Sequence, residues 1–207
     1  MLFVGDSEII DQSLPGTHGW QISKGEGFVF GKGEFVVCGS KGVCTVEDVT
    51  KLSMPGVEGN REYYVLKPVY NYATTVYIPV DAGKESMRGV LSAAEAKKLI
   101  RGIGKIAPIS IANDKLLEQE YRGCMRTNLC EEWVRILKTT YQRKKTRQEM
   151  GRKVTAVDAK YCRIAEDSLF GELAVALGIS KEEVPDYIQR EMKKNGGKDT
   201  KKVKKTT

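Results

Sequence analysis

A cluster of cations stands out among the residues of this chain that could do chemistry. Gln142-Arg-Lys-Lys-Thr-Arg147 closes what reads as a long helix, and Arg152 and Lys153 follow directly. The dipole of a helix favours positive charge at its C-terminus, which explains part of the cluster. Arg143, Lys144, Lys145, Arg147 and Arg152 exceed what capping needs, and cations at this density suit phosphate contacts. Lys115, Arg122 and Arg126 extend the stripe onto the preceding helix.

Catalytic chemistry has little to work with. His18 is the only histidine, so neither a Ser/His nor a Cys/His pair is available. Carboxylates are common but form no spaced constellation. The five cysteines (38, 44, 124, 130 and 162) are odd in number and lack the spacing of a metal clip. Free thiols in a reducing cytoplasm are the expectation. Gly31, Gly33, Gly39 and Gly42 each lead into a strand. A phosphate-binding glycine loop must lead into a helix. The sequence therefore predicts no enzyme, no metal, no cofactor and no small-molecule substrate.

The net charge of +7 over 207 residues is unevenly placed. Lys193–Thr207 holds seven lysines against Asp199, which leaves the rest of the chain close to neutral. This tail, 193–207, is expected to be disordered. No run approaches the ~20 apolar residues of a membrane span, and the N-terminus lacks a basic secretory n-region. A cytoplasmic protein without membrane contact, and a monomer, is the expectation. Residues 1–27 read as a loosely specified leader. Either it is an arm of the protein, or it is translated from upstream of a true GTG start at Val29.

Two kinds of element must position these groups. Arg61–Leu66 and Thr74–Val80 alternate in β-branched and aromatic residues across a short connector, which predicts a hairpin. Pro79 cannot donate to a ladder, so that strand should end there or lie at a sheet edge. Glu34–Cys38 and Val43–Val49 flank the turn Gly39–Gly42. Residues 28–84 thus have the size and strand content of a small twisted barrel.

From Ser92 the code is helical. Ser92 and Glu95 form a capping box before a helix ending near Ile103. Asp114–Arg126 and Cys130–Met150 follow, the latter with Cys130, Trp133, Val134, Leu137 and Tyr141 on one face. Trp133 at that spacing reads as core. Thr155–Asp158 caps a helix with Tyr161, Ala165, Leu169, Leu173 and Leu177 as its buried stripe. Ser180–Glu183 opens the last helix. The order is all-β, then all-α over 92–190, an α+β arrangement of two packed domains.

GKGEFVVCGSKGVCTVEDV, REYYVLK and TTVYIPVD resemble the RNA polymerase-interacting domain of the CarD/CdnL family of bacterial transcription regulators. VRILKTTYQRKK and VDAKYCRIAEDSLFGELAVALGIS are similar to that family's helical domain. The resemblance implies a Tudor-like barrel that docks by strand pairing on the polymerase β subunit through Thr75, Val76, Tyr77 and Ile78. It also implies a helical domain that contacts promoter DNA and alters open-complex stability. Where the family has an arginine on the docking strand, this chain has Tyr77. Many members wedge a tryptophan into the minor groove. The matching stretch, Pro108–Asn113, has none, leaving Ile109 or Ile111 as candidates, or no wedge. A polymerase-docking module without DNA contact is the competing reading, and a free-standing nucleic-acid binder is another.

Overall fold

The computed structural model describes residues 30–51, 61–70, 74–111 and 113–203. The expected leader, including His18, and the turn at 52–60 lie outside them.

Five antiparallel strands form the N-terminal unit: β1 (Phe35–Cys38), β2 (Val43–Lys51), β3 (Glu62–Pro68), β4 (Val76–Pro79) and β5 (Met87–Gly89). The order across the sheet is β4-β3-β2-β1-β5. A closed barrel was expected; the sheet is open. β4 and β5 are four and three residues long and do not pair with each other. Helix α1 (Val80–Ser86) connects them and packs against both strands and β3. Gly83 is required there, because a Cβ would stand 2.9 Å from the Tyr64 ring and 3.0 Å from the Met87 methyl.

The pleat sends neighbouring residues to opposite faces. Val36, Cys38, Cys44, Val46, Tyr64, Leu66, Ile78 and Met87 build one small core with Phe30. Val37 and Val43 point the other way and join the core of the helices. The two units therefore share an apolar interface, and each fully buried valine contributes about 1.5–3 kcal/mol.

The helices are α2 (Ala93–Gly102), α3 (Leu117–Arg126), α4 (Cys130–Glu149), α5 (Ala156–Leu177) and α6 (Val184–Val203). Ser92 and Glu95 close the expected capping box, and Thr155 accepts from the Asp158 N–H. Trp133 is fully buried. Tyr141 is not on the buried face: it is 52% exposed, and its hydroxyl donates to Glu166. The neighbouring Thr139 and Thr140 are buried instead, so the apolar stripe ends at Leu137. Helix α6 continues to Val203, through most of the stretch expected to be disordered. Lysine is a good helix former, and Glu191 pairs with Lys194 one turn on at 2.7 Å.

Candidate functional site

Two surfaces on opposite units carry the residues singled out above. The first is the free border of the sheet. β4 pairs with β3 through Tyr63↔Pro79, Tyr64↔Ile78, Val65↔Tyr77 and Leu66↔Val76, and among the described residues has no strand on its other side. Ile78 is buried and Val76 packs against the sheet core, while Thr75 and Tyr77 are exposed. In such a ladder, alternate residues turn their N–H and C=O groups away from the neighbour. β4 thus offers a row of main-chain donors and acceptors beside an exposed tyrosine, broken at Pro79, which lacks an N–H. Arg61 anchors the hairpin to α1 by a two-pronged pair with Asp81 at 2.7–3.1 Å.

The second surface surrounds the C-terminal end of α4, and its cations divide into two groups. Arg143 is structural. Its Nε lies 3.1 Å from Asp158 Oδ1, and its Nη1 lies 2.9 Å from Asp114. Asp158 is 1% exposed and also accepts from Tyr121 and Thr155. Arg143 thus neutralises a buried carboxylate, and it holds the Asp114 carboxyl below its ordinary range. Arg147 donates to the Lys153 carbonyl at 2.8 Å and closes the α4–α5 turn with Gly151, whose φ is +67°. Arg122 pairs with Glu118 at 3.1 Å. Lys115, Lys144, Lys145 and Arg152 are exposed and make no side-chain ion pair or hydrogen bond among the described residues.

Neither isoleucine suggested as a wedge is fully exposed. Ile109 is 7% exposed in the helical core, its N–H bonded to Thr139 Oγ1 at 2.9 Å. A buried side chain cannot enter a groove without leaving its core. Ile111 is half-buried and packs against the same core. The exposed apolar side chain nearby is Leu116, 47% exposed and adjacent to Lys115. The sequence reading missed it because an apolar residue at the start of a helix is normally assigned to the core.

A third arrangement joins the sheet to the helices. Arg88 on β5 reaches into the helices and grips Glu172 of α5 with both nitrogens at 2.6 Å. The fully buried Glu172 also accepts from the Leu91 N–H at 3.0 Å and the Cys130 thiol at 3.0 Å. Burial and this carboxylate together push the Cys130 thiol well up. Arg88 further donates to the Asn128 carbonyl and lies 5.6 Å from the centre of the Trp133 ring. One residue before Glu172, Gly171 admits the ring of Tyr70, whose hydroxyl donates to the Gly171 carbonyl at 3.2 Å. The sign in the sequence is a carboxylate inside the apolar run LFGELAVAL, which must find a buried cation.

Among the described residues no group of three or more His, Cys, Asp and Glu side chains could hold a metal, and no helix is long and apolar enough to cross a membrane.

Residues 30–91 match the family model described as CarD-like/TRCF RID domain. The match begins at Phe30, the first residue of the sheet core, and ends just beyond β5, so it spans the whole sheet with α1. No curated protein matches the chain.

Proposed function

We propose, from a sheet that matches the CarD-like/TRCF RID domain model, that this protein regulates transcription by docking on RNA polymerase. The β subunit adds a strand to β4, and the helices then meet promoter DNA and change the stability of the open complex. The reading is non-enzymatic. The observation that carries it is the unpaired outer side of β4 within a RID-type sheet. Strand addition supplies affinity through main-chain hydrogen bonds, while exposed Thr75 and Tyr77 supply selectivity. With Tyr77 in place of an arginine, the contact relies on ring packing instead of a charge pair.

On the helical unit, Lys115, Lys144, Lys145 and Arg152 are the phosphate-contacting candidates, since their charges are not committed inside the fold. Leu116 beside Lys115 has the size and exposure of a groove wedge.

Pull-down of the polymerase β subunit tests the docking step. Tyr77→Glu and Thr75→Glu change exposed side chains only and should abolish capture without changing thermal stability. Val76→Pro disturbs the β3–β4 ladder and a side chain packed on the sheet core, so its loss of capture is read beside its melting temperature. Undiminished capture by all three would sink the β4 assignment. A docking module without DNA contact is the outcome if Lys144→Glu/Lys145→Glu leaves promoter output unchanged while β-subunit capture persists.

A further inference from the structure

The solvent face of α2 is made of cations. Lys97, Lys98, Arg101 and Lys105 are all exposed. At 3.6 residues per turn Lys97, Lys98 and Arg101 span an arc of roughly 100°, and Lys105 lies on the 3-10 turn that follows α2. The opposite arc is apolar: Ala96 and Ile100 are buried, and Leu99 and Ile103 pack on the helical core. The carboxylate of α2, Glu95, is folded back into the capping box with Ser92. Solvated helix faces ordinarily mix both signs. The helix dipole accounts for Arg101 and Lys105 near the C-terminus, but not for Lys97 and Lys98 in mid-helix.

Helix α6 packs beside α2 and carries both signs, with Glu183 and Asp186 at its start near Arg190 and lysines further along. Arg190, Lys193 and Lys194 are exposed. Glu191 is the carboxylate between the two helices. Lys194 holds it below the ordinary carboxylate range, with Arg101 and Lys97 adding to the effect. At the other end, Lys138 of α4 donates to the carbonyls of Gly104 and Ile106 at 3.3 and 2.6 Å. The α2 face therefore joins α4 at the helical turn that precedes its basic C-terminus.

We propose that the α2–α6 face is a second phosphate-binding surface for duplex DNA, separate from the Lys144/Lys145/Arg152 end of α4. It rests on the DNA reading above and extends it. The cations of α2, Lys97 to Arg101, cover about 6 Å along the helix at 1.5 Å per residue, and Lys105 on the 3-10 turn that follows extends the row along one strand. Long side chains on a smooth helix face neutralise phosphates without reading bases. The surface adds affinity that is sensitive to salt and indifferent to sequence. Bivalent engagement through α2–α6 and the α4 end would orient the helices on the duplex more firmly than either patch alone.

The test is fluorescence anisotropy of a labelled duplex with the full chain, titrated at several salt concentrations. Lys97→Gln/Arg101→Gln/Lys105→Gln changes exposed side chains only, and circular dichroism verifies the fold. The expected result is binding weakened roughly tenfold or more. The slope of log affinity against log salt should fall by about two to three, at ~0.9 per phosphate contact. Lys144→Gln/Lys145→Gln/Arg152→Gln is the companion variant. If the companion weakens binding and the α2 variant leaves affinity and slope unchanged, the inference is overturned while the proposed function stands, and the face then serves an acidic protein. If the wild-type chain shows no salt-dependent duplex binding, both the inference and the DNA half of the proposed function fall. If only the α2 variant weakens binding, the inference holds and the α4 end is the surface that was misassigned.

Discussion

Arg88 on the shortest strand of the sheet and Glu172 in the middle of α5 form a two-pronged ion pair that joins the two units. Both N–O distances are 2.6 Å, and Glu172 is fully buried. Removing one partner of such a pair leaves a buried charge unmatched, at a cost of about 3–5 kcal/mol. Glu172→Ala should therefore lower unfolding stability by about that amount, measured in urea. Replacing both residues by methionine should cost less than Glu172→Ala alone, because nothing charged is left behind. A Glu172→Ala protein as stable as the wild type would show that the pair does not hold the units together.

Gly171 makes the neighbouring junction. A Cβ there would stand 3.0 Å from the Tyr70 ring, which carries the hydroxyl bonded to the Gly171 carbonyl. Gly171→Ala should destabilise by about 1–3 kcal/mol, the usual cost of overpacking. Adding Tyr70→Leu should recover part of that loss, since the obstructing ring is gone. Thermal melts of the two single variants and the double variant give the coupling directly. Additive losses would mean that Gly171 is not there for the ring.

Much of this fold was legible because its signals are local. The capping box at Ser92 and Glu95, the Gly39–Gly42 turn and the strand alternation before Pro79 each follow from a few adjacent residues. α1 and β5 were not legible. Val80–Ser86 has no apolar period, and three residues of β5 are too few to alternate. The openness of the sheet was hidden for the same reason, since closure depends on whether two distant short strands meet. At the candidate site, the β4 border could be placed from Pro79. The basic cluster could be found but not divided: Arg143 and Lys144 are neighbours in sequence, and only the position of Asp158 separates a structural cation from a free one. The burial of Ile109 could not be read from its neighbours, because the helices that enclose it are distant in sequence.

Acid should weaken the fold in a defined window. The Ser92 N–H and then its hydroxyl hold Glu95 below the ordinary range, and Ser180 does the same for Glu183. A carboxyl with a folded pKa below its unfolded value of about 4.3 contributes stability above that pH. The contribution is lost as pH falls through the folded value. Ser92→Ala should cost about 0.5–2 kcal/mol at pH 7, and the difference from wild type should shrink towards pH 3. Urea midpoints across pH 3–7 test this. A difference that grows towards low pH would contradict the capping account.

The five thiols should differ in reactivity with an aromatic disulfide reagent at pH 8. Cys38, Cys44, Cys124 and Cys130 are buried, and Cys162 is only half-buried. Burial, with a smaller contribution from Cys38, pushes Cys44 up to about 12. Since the thiolate is the reactive form, Cys162 should label first and the other four only as fast as the fold opens. Cys162→Ser should remove the fast phase. A fast phase that survives this substitution would place an open, ionisable thiol elsewhere.

Arg143 and Lys144 offer the sharpest division between holding the fold and meeting a partner. Arg143 sits against Asp158, which is 1% exposed, and also reaches Asp114. Arg143→Ala strips the cation from a buried carboxylate that keeps only the Tyr121 and Thr155 hydroxyls. Charged hydrogen bonds of this kind contribute about 1.5–3 kcal/mol, so unfolding stability should fall by about that much. Lys144 is exposed, and Lys144→Ala should stay within about 0.5 kcal/mol of wild type. Duplex affinity should respond the other way round: Lys144→Ala weakens it and lowers its salt slope by about one, the share of a single phosphate contact. Arg143→Ala, assayed well below its melting temperature, should leave the slope unchanged because its charge was already matched by two carboxylates. If the two substitutions gave the same stability loss and the same slope change, the separation of the α4 cluster into a structural cation and free cations would be wrong.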